Sequence, residues 1–180
     1  MYIPYAQIVN KVYDTIVLSD LFNPAKDNNS RIVNQVQRLR FVPGAPFPAI
    51  MIHILSKDEA FRALGYTPFA DISVRVKIFC SIPSSKSTAK LLGDLGFTSI
   101  DDEWKAEQEM LYIQQKLEEW IRGDSTEEGK SRRALGCNGI SGIDIHVALL
   151  SRTTFGMIDA QNLKIITADN IFTFANSRIR

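Results

Sequence analysis

Residues 70–82 read ADISVRVKIFCSI, and an apolar residue occupies every second position of this stretch. The apolar positions are Ile72, Val74, Val76, Ile78 and Cys80. The polar positions between them are Asp71, Ser73, Arg75 and Lys77. Because successive side chains of a β-strand point to opposite faces of the sheet, this alternation predicts a strand with one buried and one solvated face.

The segment PAIMIHIL, residues 48–55, precedes this strand and is apolar at odd and even positions alike. One face of such a strand would carry Ile50, Ile52 and Ile54, and the other Ala49, Met51, His53 and Leu55. A strand that is apolar on both faces is typical of the interior of a sheet. Together the two segments predict a β-hairpin.

The connection between these two strands, SKDEAFRALGYTPF at residues 56–69, is far longer than the roughly two to five residues that a hairpin requires. We call residues 56–70 the arm. Its apolar side chains, Phe61, Leu64, Tyr66 and Phe69, stand among the charged Lys57, Asp58, Glu59 and Arg62. Either the apolar side chains form a small local core, or they form an exposed patch that contacts another protein. We favour the protein contact.

Length and composition restrict the class of protein. The chain has 180 residues, 45% of them hydrophobic, and a formal net charge of +1, which predicts one domain over residues 1–180. A charge so close to zero argues against a dedicated nucleic-acid-binding protein, which usually carries a strongly basic face. The sequence predicts neither a membrane span nor a secretory signal. We expect the two cysteines to be reduced thiols.

Two stretches have the apolar spacing of amphipathic helices. The first follows Pro4, and its stripe is Tyr5, Ile8, Val9, Val12, Tyr13, Ile16 and Val17. The second runs from about Asp102 to Ile121, with a stripe of Trp104, Met110, Leu111, Ile113, Leu117, Trp120 and Ile121. Glu103, Lys105, Glu109, Lys116 and Glu119 are predicted to lie mostly outside that stripe. We expect the second helix to lie across the sheet.

Three segments carry weaker patterns. RIVNQVQRLRFV, residues 31–42, is predicted as a helix, although its β-branched residues leave a strand open as the alternative. A short helix is predicted from Ala89 to Leu95. Residues 122–142 have no periodicity and many turn formers, which predicts an irregular, mobile loop.

Two closing strands are predicted near the end of the chain. GIDIHVALLSR, residues 142–152, alternates, and AQNLKIITADNIFTFA, residues 160–175, has further strand character. Asp169 and Asn170 are able to break or bulge the last strand. The predicted fold class is therefore α+β, with a central mostly antiparallel sheet made of the long hairpin and two C-terminal strands, packed against an N-terminal and a long central helix.

Two segments resemble catalytic or ligand-binding motifs. Gly123 followed by Gly129, Lys130 and Ser131 resembles a phosphate-binding loop, but five residues separate the glycines instead of four and a predicted helix precedes them. Asp101, Asp102, Glu103 and Lys105 resemble the acidic-plus-lysine pattern of metal-dependent nucleases. Acidic residues are, however, favoured at a helix N-terminus in any case. We interpret both segments as structural.

Two further sets of residue types have catalytic or metal-binding potential. His53, Cys80, Cys137 and His146 could ligate a metal, yet no two of them have the spacing of a zinc pair. Serine, histidine and aspartate are present, but the Gly-x-Ser-x-Gly motif is not. We therefore expect no enzymatic activity, no cofactor and no metal.

The order of predicted elements from Tyr5 to Phe174 resembles that of the tail terminator, or tail completion, proteins of tailed bacteriophages, including lambda-like minor tail proteins of that role. The resemblance rests on FPAIMIHI at residues 47–54, ADISVRVKIFCSIP at residues 70–83, the long helix and the two closing strands. Residues 25–40, the helix at Ala89 and the loop 122–142 are longer than a minimal member requires.

The resemblance implies a structural virion protein of the phage tail and neck that is assembled in the host cytoplasm. It implies a homo-hexameric ring on the last ring of the tail tube, which ends tail polymerisation and offers a surface to the head–tail connector. The implied partners are the chain itself, the tail tube protein and the connector or neck protein, with the tail sheath as a further candidate. The genome would pass through the lumen with transient, nonspecific contact, and no membrane is involved.

A closed ring requires two different patches on each subunit. For one patch we predict the arm, anchored by Phe61, Leu64, Tyr66 and Phe69. For the other we predict the polar face of residues 70–82, which carries Arg75 and Lys77. Arg132 and Arg133 in the loop 122–142 are predicted to contact tube, connector or DNA.

Three alternatives stay open. The first is another phage neck or baseplate protein, such as a head-closure protein or a sheath initiator. The second is a small metal-dependent enzyme that uses Asp102, Glu103 and Lys105 or the cysteine and histidine set. The third is a monomeric host adaptor.

Overall fold

The computed structural model describes residues 5–27, 30–38, 46–60, 69–82, 102–122, 143–160 and 163–178. These residues form two α-helices and five β-strands. The elements in chain order are α1 (Tyr5–Leu18), β1 (Gln35–Arg38), β2 (Ala49–Ala60), β3 (Phe69–Ile82), α2 (Asp102–Arg122), β4 (Ile143–Ala160) and β5 (Leu163–Arg178).

The five strands form one sheet in the order β1-β2-β3-β5-β4. β1 runs parallel to β2, and each of the other neighbouring pairs is antiparallel. The predicted hairpin of β2 and β3 and the second hairpin of β4 and β5 therefore join through β3 and β5. The predicted α+β class with a mostly antiparallel sheet is confirmed.

The alternation in β3 determines which face of the sheet is buried. The side chains of Ile72, Val74, Val76, Ile78 and Cys80 are all 0% exposed. They belong to one hydrophobic cluster with apolar side chains of α1 and α2, so both helices lie on this face, which we call the helix face. The opposite face, which we call the second face, carries Asp71, Ser73, Arg75 and Lys77, all half-buried.

A smaller cluster lies on the second face at one end of the sheet. It contains Phe47, Ala49 and Phe79, with Met51 and Ile165 packed against it. The prediction that β2 is apolar on both faces and lies inside the sheet is thus confirmed at the Ala49 end. At the other end Leu55 is exposed, beside a shift of register between Ile54 and Ser56.

The segment 31–42 corrects one prediction, because its residues 35–38 form the strand β1 and not a helix. Val36 is buried, and the four residues pair in parallel with β2 from Ala49 to Ile52. The backbone N–H of Asn34 donates to the carbonyl oxygen of Pro48 at 2.8 Å, which leads into this pairing. The β-branched side chains were compatible with either structure, and the partner strand decided between them.

The arm is also corrected, since strand pairing extends into it. β2 continues to Ala60 and β3 begins at Phe69, with Ala60 paired to Phe69. Phe61, Leu64 and Tyr66 lie outside the described residues, as does the predicted helix from Ala89 to Leu95. The predicted loop 122–142 lies outside them as well, except for its first residue, which ends α2.

The first closing strand is longer than its sequence pattern predicts, and the second begins and ends three residues later than its predicted range. β4 extends eight residues past Arg152, to Ala160. β5 is continuous through Asp169 and Asn170, which pair with Lys77 and Val76 in regular register. The predicted break at these two residues is wrong, because both polar side chains find partners within the sheet and on α2.

The long helix follows its prediction with two exceptions. Most of its apolar stripe is buried, but Leu111 is 38% exposed. Glu109, predicted outside the stripe, is only 2% exposed, and Gln114 is only 5% exposed. The buried face of α2 is therefore partly polar, and Gln114 bonds there to Asn170 of the sheet.

Candidate interaction surfaces

A charged cluster occupies the middle of the second face. Arg75 on β3 and Asp169 on β5 form an ion pair, with Nε and Oδ1 3.0 Å apart. Lys77 Nζ lies 4.0 Å from the other carboxylate oxygen, Oδ2. The Nε–H of Arg75 is not aligned with Asp169 Oδ1 for a hydrogen bond, so the two side chains attract each other mainly through their charges. The register of the antiparallel strands places these side chains together, since Lys77 is directly opposite Asp169.

His53 on β2 extends this cluster, because it is paired directly with Arg75. Partial burial, followed by the nearby charge of Arg75, lowers the pKa of His53 below its ordinary value of 6.5, and Asp169 opposes this shift weakly. The cluster thus holds two permanent cations against one carboxylate, and a histidine that is mostly neutral at pH 7. The side chains of this cluster therefore carry a net positive charge.

Two members of the histidine and cysteine set, His53 and Cys80, lie on opposite faces of the sheet. Cys80 is fully buried on the helix face, whereas His53 lies on the second face, so the sheet separates them. Burial, with a smaller effect of Glu109, raises the pKa of the Cys80 thiol well above its ordinary value. Cys137 is not among the described residues, and the side chain of His146 is not described.

The structure describes residues 102–105 of the acidic motif and none of residues 123–131, which contain the phosphate-loop motif. α2 begins at Asp102, as the dipole explanation expects, and Lys105 is half-buried in its first turns. Asp101, the segment 123–131, Arg132 and Arg133 lie outside the described residues. Within the described part of the chain, His, Cys, Asp and Glu side chains form no group of three that could hold a metal ion. Neither of the two helices described is long and apolar enough to cross a membrane.

A buried polar network holds α2 against the sheet. Asn170 and Gln114 exchange two hydrogen bonds, each 2.7 Å long, through their side-chain amides. Asn170 also donates to the backbone carbonyl oxygen of Val76 at 3.2 Å and accepts from Thr153 Oγ1 at 2.8 Å. This network joins α2, β3, β4 and β5, so it fixes the edge strand β4 relative to the helix.

Three exposed apolar side chains on β4 were not predicted from the sequence. Phe155 is 53% exposed, Met157 63% and Ile158 41%. All three follow Arg152, where the predicted strand ended. The residue types Thr, Thr, Phe and Ile in the stretch TTFGMI favour strand structure and could have extended the prediction.

No protein-family model matches this chain, and no curated protein matches it either.

Proposed function

We propose that this protein is a tail terminator of a tailed bacteriophage, which caps the tail tube as a homo-hexameric ring, ends tail polymerisation and joins the tail to the head connector. Its place of action is the tail and neck of the virion. The proposal includes no catalytic step and no cofactor.

The observation that carries this proposal is the order of elements around the sheet. An N-terminal helix, a long hairpin, a long helix and two closing strands form one α+β unit, in the order that the resemblance to tail terminator proteins implies. The two helices lie on one face of the sheet, so the second face, with its charged cluster, stays free of helices in the described part of the chain.

Exposed apolar side chains on a strand edge also support an assembling subunit. Soluble monomers rarely expose contiguous large apolar patches, and those that occur mark contact sites. Phe155 and Met157 are exposed together on the helix face of β4, and Ile158 is exposed on the second face. A protein whose function is assembly has a reason to keep such a surface.

For the ring contact itself we propose the arm, with Phe61, Leu64, Tyr66 and Phe69 as anchors, against the second face of a neighbour. Arg75 and Lys77 share one carboxylate, so the pair retains excess positive charge toward a neighbour. Arg132 and Arg133 are proposed to contact tube, connector or DNA.

The decisive experiment mixes the purified protein with tail tubes of its phage and counts copies at the tube ends by electron microscopy. We expect six copies per capped end and no further tube growth from it. A copy number other than six, or binding at the baseplate end, would favour the alternative of another neck or baseplate protein. Tubes that keep growing in the presence of the protein would contradict a terminator.

A paired substitution tests the arm separately. Phe61→Asp with Tyr66→Asp should abolish ring formation, because both apolar anchors become charged, while cooperative thermal unfolding of the subunit is retained. The matched control is Leu111→Asp, which adds a charge at an exposed position of α2. Rings that persist in the double variant would exclude the arm as a contact.

A further inference from the structure

The second half of β4 has the properties of an unprotected strand edge. In the described sheet β4 is one of the two edge strands, and it is hydrogen-bonded to β5. From Arg152 to Ala160 it pairs with β5 in unbroken register. The outward-pointing backbone N–H and C=O groups of this stretch are therefore in the geometry that accepts another strand.

Natural proteins usually protect such edges with lysine, proline, a bulge or a very short strand. The stretch RTTFGMIDA, residues 152–160, contains neither lysine nor proline, and both shifts of register in β4 come before Arg152. It instead exposes three large apolar side chains, at Phe155, Met157 and Ile158. Cross-strand register places Phe155 and Met157 on the helix face and Ile158 on the second face.

We infer that β4 pairs with β4 of a second copy of this chain, antiparallel and across a two-fold axis at Gly156. The charges favour this direction. Within residues 152–159 the one cation is Arg152 and the one anion is Asp159, at opposite ends. In antiparallel pairing, Arg152 of each strand lies near Asp159 of the other strand. In parallel pairing, arginine would lie beside arginine and aspartate beside aspartate.

The register follows from the side chains. With the axis at Gly156, Phe155 lies opposite Met157 of the second copy on the helix face, and Thr154 lies opposite Ile158 on the second face. Each of these pairs occurs twice, and each joins apolar or β-branched groups that stabilise antiparallel strands. A shift of the axis to residue 155 would oppose Ile158 with Arg152, and a shift to residue 157 would oppose Phe155 with Asp159.

This contact joins the two described five-stranded sheets into one continuous sheet, with α1 and α2 of both copies on the same side. Since a two-fold contact uses the same patch on both copies, it differs from the one-way contacts that close a ring. We therefore assign it to the free subunit, before it meets a tail tube. It covers the exposed edge and so opposes uncontrolled strand addition. The inference stands on β4 alone and does not require the proposed function.

The first test measures the mass of the free, full-length protein by sedimentation in the absence of tail tubes. The wild type should sediment at twice the chain mass of 20.2 kDa. Phe155→Asp should raise the dissociation constant of the dimer at least about tenfold, because it places two carboxylates at the centre of the contact. The control Leu18→Asp changes an apolar side chain that is 49% exposed on α1 and should leave the dimer intact.

The second test places a cysteine on the axis, as Gly156→Cys in a Cys137→Ala background. A Cβ at position 156 would come no closer than 3.4 Å to Thr167 Oγ1, so the side chain fits. Residues directly opposite in an antiparallel pair lie at disulfide distance, and mild oxidation should therefore give a covalent dimer. Cys80 is buried and should not react. Glu107→Cys, at an exposed position of α2, is the control that should stay monomeric on a denaturing gel.

A wild-type protein that sediments as a monomer overturns the inference, and so does a dimer that Phe155→Asp leaves unchanged. A free hexamer without cross-linking at position 156 also overturns it, while it supports the proposed ring. Failure to cap tail tubes would count against the proposed function and leave the β4 dimer standing.

Discussion

The indole Nε1–H of Trp120 donates a hydrogen bond to the backbone carbonyl oxygen of Thr15, and the two heavy atoms are 2.7 Å apart. In a continuing helix that carbonyl would accept from the N–H of Ser19. Ser19 donates to Ile16 instead, because α1 ends at Leu18. A side chain from α2 thus satisfies a terminal carbonyl group of α1, which links the two helices at a fixed point.

Replacing Trp120 by phenylalanine should lower the free energy of unfolding by about 2 kcal/mol or more. The change leaves the Thr15 carbonyl group buried without a donor and also creates a small cavity, since Trp120 is only 2% exposed. Urea denaturation is the measurement. Leu111→Ala, at an exposed position of the same helix, should cost no more than about 0.5 kcal/mol. Equal losses in both variants would refute the role of this hydrogen bond.

Replacing Asn170 by alanine should cost about 3 kcal/mol, because Gln114 and Thr153 each lose a buried hydrogen-bond partner. Gln114→Leu in the same chain should recover part of that loss, since no unpaired amide is then buried. A double-mutant cycle measured by denaturation should show a coupling of at least about 1 kcal/mol. Gln115→Ala, which removes an exposed bond to Glu119, provides the control. Additive effects of Asn170→Ala and Gln114→Leu would contradict the network.

Stability should depend on pH through His53. Its pKa is lower in the folded protein than the ordinary value of 6.5, chiefly because burial disfavours the charged form. The unfolded chain then binds more protons between these two pKa values, so stability is complete above pH 6.5 and falls as the pH falls through the folded pKa. Denaturation at a series of pH values should show this loss in the wild type and not in His53→Gln.

The carboxyl group of Glu119 should also make stability depend on pH, but at a more acidic pH than the imidazole of His53. The side-chain hydrogen bond from Lys116 lowers the pKa of Glu119 below 4.5, so its contribution is present above that pH and is lost only at lower pH. Glu119→Gln should therefore leave the loss that begins below pH 6.5 unchanged. If His53→Gln keeps that loss, the assignment to His53 is wrong.

Replacing Asp169 by asparagine should reduce stability by about 1 kcal/mol at low salt, because Arg75 and Lys77 are then left facing each other without an anion. The difference from the wild type should shrink as salt is added. The matched control is Asp20→Asn, whose ion pair with Lys26 is 3.1 Å long but joins side chains 58% and 47% exposed, and which should change stability very little. A salt-independent loss would show that Asp169 acts through packing.

Much of the candidate chemistry could be judged from the sequence, but its geometry could not. The spacing of His53 and Cys80 argued against a metal site, whereas their placement on opposite faces of the sheet follows from strand register, which the spacing does not give. The ion pairs of Asp169 were not predictable, because they depend on the register between two strands that are far apart in the chain. The exposed side chains of β4 were not predicted, because the sequence pattern does not show that β4 lies at an edge of the described sheet.

The buried face of β3 and most of the apolar stripe of each helix could be predicted from the sequence, because they follow from the periodicity of neighbouring residues. The folded structure was needed to show that residues 35–38 are a strand, that β5 continues through Asn170, and that Glu109 and Gln114 are buried. The two strands depend on a neighbouring strand for pairing, and the burial of Gln114 depends on Asn170, so each needs a partner from a distant part of the chain. The spacing of residues along the chain does not indicate this partner, because pairing and burial depend on how the sheet and the helices pack together.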